Sequence, residues 1–171
     1  TNRVVLANRL YDGMSAAWKN MKRQPLTRIS IRVAIAKFAP RNHKGFTEAD
    51  YMAKLKPGVD SWQQCLAAMG LSWRRRCERG QPVEVPVVDF GPAMLLLLPG
   101  ESYVEFQLAA QRMRPNAFVM VAGYGEGGTG YVPTAKHWAE KDFNLNDWCW
   151  VHPGAEETLL KAITRGMREE K

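Results

Sequence analysis

The chain has 171 residues, enough for one domain with a sizeable hydrophobic core. Apolar residues make up 46% of the sequence and charged residues 24%, which argues against a disordered or fibrous protein. The net charge of +7 allows an anionic partner, and no apolar run approaches the roughly 20 residues that a membrane-spanning helix needs.

The first part of the sequence predicts a helix, a strand and a second, short helix. Apolar residues recur every three or four positions over residues 4–22, which is the pattern of an amphipathic helix. Over residues 28–38, large apolar side chains alternate with polar or small ones, which predicts a half-exposed strand near a sheet edge. The sequence Thr-Glu-Ala-Asp at residues 47–50 is typical of a capping box that opens a helix.

A longer helix and an irregular strand follow. Residues 61–79 carry an apolar stripe that we expect to be buried. The stripe consists of Trp62, Leu66, Met69 and Trp73. Residues 83–90 have an extended pattern, but Pro86 cannot donate a backbone hydrogen bond. This strand is therefore predicted to be irregular or to lie at a sheet edge.

The centre of the sequence predicts a β-α-β unit. Residues 93–98 and 118–122 are apolar runs typical of strands buried on both faces. Between them, Ser102 is the expected cap of a helix whose inward residues are Val104, Leu108, Ala109 and Met113. Parallel strands deliver their trailing loops to the same edge of a sheet. We therefore expect Glu101 and the glycine-rich segment 123–134 to meet.

The last part of the sequence predicts a short helix at residues 135–141, a loop or short strand at 144–150, and an amphipathic helix at 154–167. The inward residues of the last helix are Ala155, Leu159, Ala162 and Ile163. Together these elements predict an α/β fold with a mixed, largely parallel sheet and flanking helices. The chain is expected to be a single domain or part of a larger one.

Glu101 and Tyr131 are the residues that the pattern singles out for function. Nothing in the Pro99-Gly100 turn requires the carboxylate that follows it, and α/β proteins place ligand-binding groups at such strand ends. The glycine-rich segment contains Glu126 and lacks a Lys-Ser/Thr ending, so it does not fit a phosphate-binding loop. It can instead bring the Tyr131 hydroxyl close to Glu101, although Tyr131 as an ordinary core residue is an equal alternative.

The other polar residues favour structural roles. The histidines, His43, His137 and His152, lack ligand spacing and are expected to be exposed or hydrogen-bonded. The cysteines, Cys65, Cys77 and Cys149, fit no zinc knuckle and are expected to be buried free thiols, with one bridge to Cys149 left open. The basic cluster of Arg74, Arg75, Arg76 and Arg79 is typical of a solvated helix end, with a nucleic-acid patch as the less favoured alternative.

Three segments give the sequence a resemblance to a known family. They are Leu97-Leu98-Pro99-Gly100-Glu101, Gly130-Tyr131-Val132-Pro133-Thr134 and Pro153-Gly154-Ala155-Glu156-Glu157. In order and spacing they resemble the neutral/alkaline (non-lysosomal) ceramidase family, in particular its bacterial ceramidase-like branch. The resemblance covers residues 93–165 clearly and residues 1–92 weakly, and it corresponds to the C-terminal half of the family's catalytic domain.

The resemblance implies a site and a chemistry. The family consists of zinc amidohydrolases that cleave the amide of N-acyl sphingosine. Glu101 would match the carboxylate zinc ligand, and Tyr131 would match the tyrosine ligand and act as a catalytic phenol. Two histidine ligands would come from an N-terminal half that has no counterpart here. Phe143 stands where the family has another tyrosine, and phenylalanine cannot donate a hydrogen bond to an oxyanion.

The resemblance therefore implies the C-terminal portion of a ceramidase-like hydrolase, inactive without its N-terminal half. Its implied cofactor is zinc, its partners are the missing N-terminal segment and a lipid-like N-acyl substrate, and family habit favours export to the periplasm or medium. The chain begins with Thr1 and shows no signal peptide, so we expect a processed or excised piece. The alternative is a non-catalytic binding module that retains the hydrolase fold.

Overall fold

A computed structural model describes residues 2–168. The helices are α1 (Asn2–Lys19), α2 (Glu48–Lys54), α3 (Ser61–Glu78), α4 (Val104–Met113), α5 (Ala135–Ala139) and α6 (Ala155–Gly166), with a 3-10 turn at Phe143–Leu145. The strands are β1 (Ser30–Ala36), β2 (Val83–Asp89), β3 (Ala93–Pro99), β4 (Glu101–Ser102), β5 (Phe118–Gly125) and β6 (Tyr131–Val132). Among these residues, no helix combines the length and the apolarity needed to span a bilayer.

The strands form a four-stranded sheet in the order β1-β2-β3-β5 and a two-stranded sheet of β4 and β6. The β1–β2 and β2–β3 pairs are antiparallel, whereas β3–β5 and β4–β6 are parallel. The prediction of an α/β fold with a mixed sheet and flanking helices is confirmed. Parallel pairing is less extensive than predicted, because the short turn after β2 returns the chain antiparallel as β3.

One face of the large sheet is covered and forms the core. Helix α6 packs against β1 and β2, while α4 packs against α6 and β5. Val85, Val87 and Leu96 of the sheet are fully buried against Leu159 and Ile163 of α6, which points its predicted face inward. Apolar burial of this kind is the main source of the fold's stability.

The strand β1 lies at a sheet edge, as predicted, but its large apolar side chains are on the exposed side. Ile31 and Val33 are exposed, whereas Ala34 and Ala36 are buried. The small alanines let α6 approach the sheet closely. On the same covered side, Arg32 donates to Asp89 at 3.1 Å and to a backbone carbonyl of α6.

The helix α1 forms where the apolar period predicts it, yet it buries none of its residues. Its stripe of large apolar side chains is exposed along its length. The stripe comprises Val5, Leu6, Leu10, Met14 and Trp18. Among residues 2–168, the segment that precedes β2 therefore presents two apolar surfaces to solvent, one on α1 and one on β1.

Two helices bury faces other than the predicted ones. In α3, Trp73 is buried but Trp62 and Met69 are exposed. The helix turns Gly70 toward α2, where the Tyr51 ring occupies the space that a larger side chain would need.

In α4, Phe106 and Ala110 are buried, while the predicted inward residues Val104 and Leu108 are exposed. Ser102 is not the helix cap; it lies in β4, and its hydroxyl donates to the Pro99 carbonyl at 2.7 Å. The helix therefore begins later than predicted and turns a different face inward.

Two strands also occupy other positions than predicted. β2 is an internal strand despite Pro86. Its pairing with β3 starts only at Val87, so Pro86 has a partner strand on one side alone, which is the situation that proline tolerates. β5 lies at the sheet edge, and of its residues only Val119 is fully buried. It is therefore not buried on both faces.

Candidate functional site

Glu101 and Tyr131 are direct neighbours across the parallel β4–β6 pair. The Glu101 N–H donates to the Gly130 carbonyl at 3.0 Å, and the Tyr103 N–H donates to the Val132 carbonyl at 3.1 Å. Residues opposite each other in a ladder project to the same face. The expected meeting of the loop after β3 with the glycine-rich segment is thus present in the structure.

Two glycines make this close approach feasible. Gly100 and Gly130 both have positive φ values, of 50° and 64°. A Cβ atom on Gly100 would collide with the Thr129 hydroxyl, and one on Gly130 would collide with the Trp148 carbonyl. The same carbonyl accepts the Tyr131 N–H at 2.7 Å. Only residues without a side chain fit here, so both glycines serve to bring Tyr131 to Glu101.

Tyr124 is a third member of the site that the sequence analysis did not identify. Its hydroxyl donates to Glu101 Oε1 at 2.8 Å, and its N–H donates to the Gly100 carbonyl at 2.8 Å. It has φ 57° and lies where the β3–β5 register shifts. The available signal was its place near the carboxyl end of the strand that neighbours β3, but a bulge at that end cannot be read from the pattern.

The carboxylate of Glu101 governs the ionisation of both phenols. Hydrogen bonding to Glu101 is the largest cause of the raised pKa of Tyr124 and of Tyr131, followed by burial and by the negative charge. The side chains of Glu101, Tyr124 and Tyr131 thus form a cluster of oxygen donors.

A second group of side chains surrounds Tyr131. The Tyr103 ring meets the Tyr131 ring edge-on at 5.8 Å between centroids, and its hydroxyl donates to Asp142 Oδ2 at 2.9 Å. Burial, together with the Asp142 hydrogen bond, raises the pKa of Tyr103. His137 also packs against Tyr103, with ring centroids 4.2 Å apart, and its Nδ1 lies 2.8 Å from the Thr134 hydroxyl. Tyr103 is thus held by Asp142 and His137 and packs against Tyr131.

The cluster lines an open cleft of about 350 Å³. The lining residues are Gly100, Glu101, Ser102, Tyr103, Gly123, Tyr124 and Tyr131. Carboxylate oxygen is a usual zinc ligand, and a catalytic zinc has three protein ligands. Within residues 2–168, no three His, Cys, Asp or Glu side chains come together as a metal-binding group. The donors present fit part of a zinc site and not a complete one.

Three of the four arginines of the basic cluster contact acceptors within the protein, which supports a structural role for them. Arg74 pairs with Glu78 at 2.9 Å, Arg75 pairs with Glu48 at 2.9 Å, and Arg76 donates to the Pro82 carbonyl at 2.7 Å. These contacts direct the guanidinium groups toward the protein's own acceptors.

The remaining candidate residues lie away from the cleft lining. Phe143 is 77% exposed and does not line the cleft. The histidines are exposed or hydrogen-bonded, as expected: His43 is exposed and stacks on Trp138, and His152 Nδ1 accepts the Gly154 N–H. All three cysteines are free, but Cys65 is exposed, so burial was wrongly expected for it, because α3 turns another face inward.

Two solved ceramidase structures have a similar fold. One is neutral ceramidase from Pseudomonas aeruginosa, and the other is a ceramidase complexed with C2. Each matches 88% of this chain with a TM-score of 0.55 and 14% sequence identity. The resemblance inferred from the sequence is confirmed at the level of the fold. No protein-family model and no curated protein matches the chain.

The chain spans about 30% of the length of the ceramidases it matches, with coverage of 29% and 31%. The match therefore extends over nearly all of this chain but over a minor part of each neighbour.

Proposed function

We propose that this chain is the C-terminal portion of a ceramidase-like, zinc-dependent amidohydrolase in which Glu101 and Tyr131 supply part of the metal site. One observation carries the proposal: Glu101 and Tyr131 are paired across adjacent strands in an open cleft, within a fold similar to that of ceramidases.

Glu101 is the residue best suited to bind the metal. Its backbone N–H is tied to Gly130, and its carboxylate accepts the Tyr124 hydroxyl, so the side chain is oriented before any ion arrives. Such oriented donors lose little conformational freedom on binding. A zinc ion held there would supply Lewis-acid activation of water and of the amide carbonyl.

Tyr131 lies opposite Glu101, where its hydroxyl would become a second oxygen ligand of a bound metal. Hydrogen bonding to Glu101 raises the pKa of Tyr131, and a cation bound there would reverse that shift and favour the phenolate as a ligand. Tyr103 positions the Tyr131 ring through their edge-on contact. Phe143 cannot supply the hydrogen bond of a further tyrosine, so with Tyr131 as a metal ligand, Tyr124 is the phenol of the cleft left to orient an amide oxygen.

The proposed substrate class follows from the resemblance to ceramidases. Hydrolysis adds water across the amide C–N bond of an N-acyl sphingosine or a related N-acyl compound, releasing a fatty acid and an amine. The missing donors require further ligands from an N-terminal segment of the same protein. In the proposed account the 171 residues alone are inactive.

The experiment compares variants of the full-length product of the encoding gene, with a fluorescent N-acyl sphingosine as substrate. Glu101→Gln and Tyr131→Phe are expected to lower hydrolysis at least about 100-fold, the scale on which loss of metal-site groups acts. Glu157→Gln on the exposed side of α6 is the matched control and leaves hydrolysis unchanged. Full activity in Glu101→Gln would overturn the assignment of this residue.

The rival function is a non-catalytic binding module that keeps the hydrolase fold. The incomplete donor set and Phe143 favour it. A full-length protein that folds, contains no zinc and hydrolyses no N-acyl amide would establish this alternative.

A further inference from the structure

The uncovered face of the large sheet carries a continuous apolar row. Ile31, Val88, Leu95 and Met120 are register partners across all four strands. Directly opposed residues share a face, so these side chains form one band across the sheet. Ile31 is 66% exposed and Met120 is 37% exposed, while Val88 and Leu95 are half-buried by their neighbours.

The band is wider than a single row. Val33 and Ile35 extend it along β1, and Phe118 at 70% exposure extends it along β5. Monomeric proteins rarely expose continuous apolar patches of this extent, and such patches mark interaction surfaces. Glu84 beside Ile35 is the charged residue among them, at one end of the patch. A partner for this surface must therefore be mainly apolar.

A second apolar surface lies on α1, immediately before β1 in the chain. The stripe of α1 is exposed, with Leu10 at 65% and Trp18 at 76%. An 18-residue helix that buries none of its side chains gains no packing energy from the rest of the described chain. The open sheet face and the α1 stripe are thus both exposed apolar surfaces with no packing partner among residues 2–168.

We propose that the open sheet face and the α1 stripe are the surfaces onto which the remaining part of the hydrolase domain packs. This inference rests on the proposed function for the nature of the partner, which is a segment of the same protein outside these 171 residues. It adds the place of contact. The surface is the face of β1, β2, β3 and β5 opposite α6.

Two observations favour a further segment of the same protein as the occupant. The matched ceramidases are about three times as long as the part that this chain matches, which leaves ample polypeptide to cover a sheet face. In the proposed zinc site, the cleft also holds only part of the donor set. The open face runs along β3 and β5 to Leu97 and Ala122, beyond which lie Glu101 and Tyr124. A segment packed on this face would end beside the cleft and could complete its donor set.

The test measures maleimide reactivity of single cysteines in a Cys65→Ser background of the full-length product of the encoding gene. Ile31→Cys and Met120→Cys report on the two ends of the apolar row, and Lys161→Cys on the outer side of α6 is the exposed control. Each rate is divided by the rate of the same variant in denaturant, and mass spectrometry identifies the labelled site. The same variants are measured in the 171-residue chain.

We expect both sheet positions to react at least roughly 100-fold more slowly than position 161 in the full-length protein. They should react at similar rates to position 161 in the 171-residue chain. Reaction as fast as the control in the full-length protein would overturn the inference. Protection already present in the 171-residue chain, with a doubled mass in solution, would overturn it in favour of a second copy as the occupant.

The readout does not depend on metal or activity, so it separates the two proposals. Protection without zinc or hydrolysis would leave the docking surface standing and remove the proposed function. Hydrolysis without protection would do the reverse.

Discussion

The two faces of the large sheet are built from neighbouring residues of the same strands, yet one face is buried under α6 and the other is exposed. Val87 and Leu96 point to the α6 side and are fully buried, whereas Val88 and Leu95 point to the open side. All four are apolar, so composition does not distinguish the faces. Helix α6 packs on one face, and among residues 2–168 the other face stays exposed, so packing and not composition distinguishes the two.

The largest expected loss of stability comes from a substitution beside the cleft. Gly130→Ala would force a side chain at positive φ into the Trp148 carbonyl, at a cost of about 4 kcal/mol or more of unfolding free energy. Gly128→Ala is the matched control, since its Cβ would meet nothing within 4 Å. Urea unfolding monitored by tryptophan fluorescence measures both. Equal stabilities would contradict the close approach of the two loops.

Alanine substitutions at the adjacent residues Leu95 and Leu96 of β3 measure how much each face contributes to stability. Leu96→Ala should lower the unfolding free energy by about 3 kcal/mol, because it leaves a cavity in a fully buried site. Leu95→Ala on the open face should cost about 1 kcal/mol in the 171-residue chain. Urea titrations of the two variants give the difference. If Leu95→Ala proved the more costly, the open face would already be covered.

The buried Cys149 thiol predicts that the unfolding free energy falls at alkaline pH. Burial raises the pKa of the Cys149 thiol to about 11, whereas an unfolded thiol titrates near about 8.5. The unfolded state therefore holds fewer protons between these values, and the stability from this group, present below pH 8.5, is lost as pH rises. We expect a loss of about 2 kcal/mol in unfolding free energy between pH 8 and pH 10 from this residue.

The measurement compares wild type with Cys149→Ser, whose hydroxyl does not titrate in this range. The variant is less stable at pH 8 but should lose about 2 kcal/mol less than wild type on going to pH 10. Identical losses in the two proteins would show that the Cys149 thiol is not protected from solvent.

The smallest expected effect lies on the open face. Val33→Thr should change the unfolding free energy of the 171-residue chain by less than about 0.5 kcal/mol, because Val33 is exposed. The same substitution at the fully buried Val85 should cost clearly more, since it places a hydroxyl in the core. Thermal and urea unfolding give both values. A large loss at position 33 would indicate that β1 is covered in the isolated chain.

Much of the architecture could be predicted because local pattern and final environment agree. The capping box at Thr47, the inward face of α6 and the parallel β3–β5 pair all follow from short-range rules. The convergence of Glu101 with the glycine-rich segment follows from the direction of the parallel strands in a β-α-β unit.

The sequence-based predictions are wrong where contacts between distant parts of the chain determine burial or strand position. The apolar periods of α1 and β1 predict the elements but cannot tell whether anything covers them. Pro86 predicts an irregular or edge strand, and the limited β2–β3 pairing that admits it inside the sheet is a tertiary property. Tyr124 could not be identified from the sequence, because its orientation toward Glu101 depends on a bulge and on a positive φ. Neither feature can be read from a single sequence.

The most direct test of the central claim is the zinc content of the purified full-length gene product. Measured by plasma mass spectrometry, wild type and Glu157→Gln should each contain about one zinc per chain, and Glu101→Gln should contain almost none. The account predicts that Tyr131→Phe lowers the zinc content as well. Equal zinc in wild type and Glu101→Gln would contradict it.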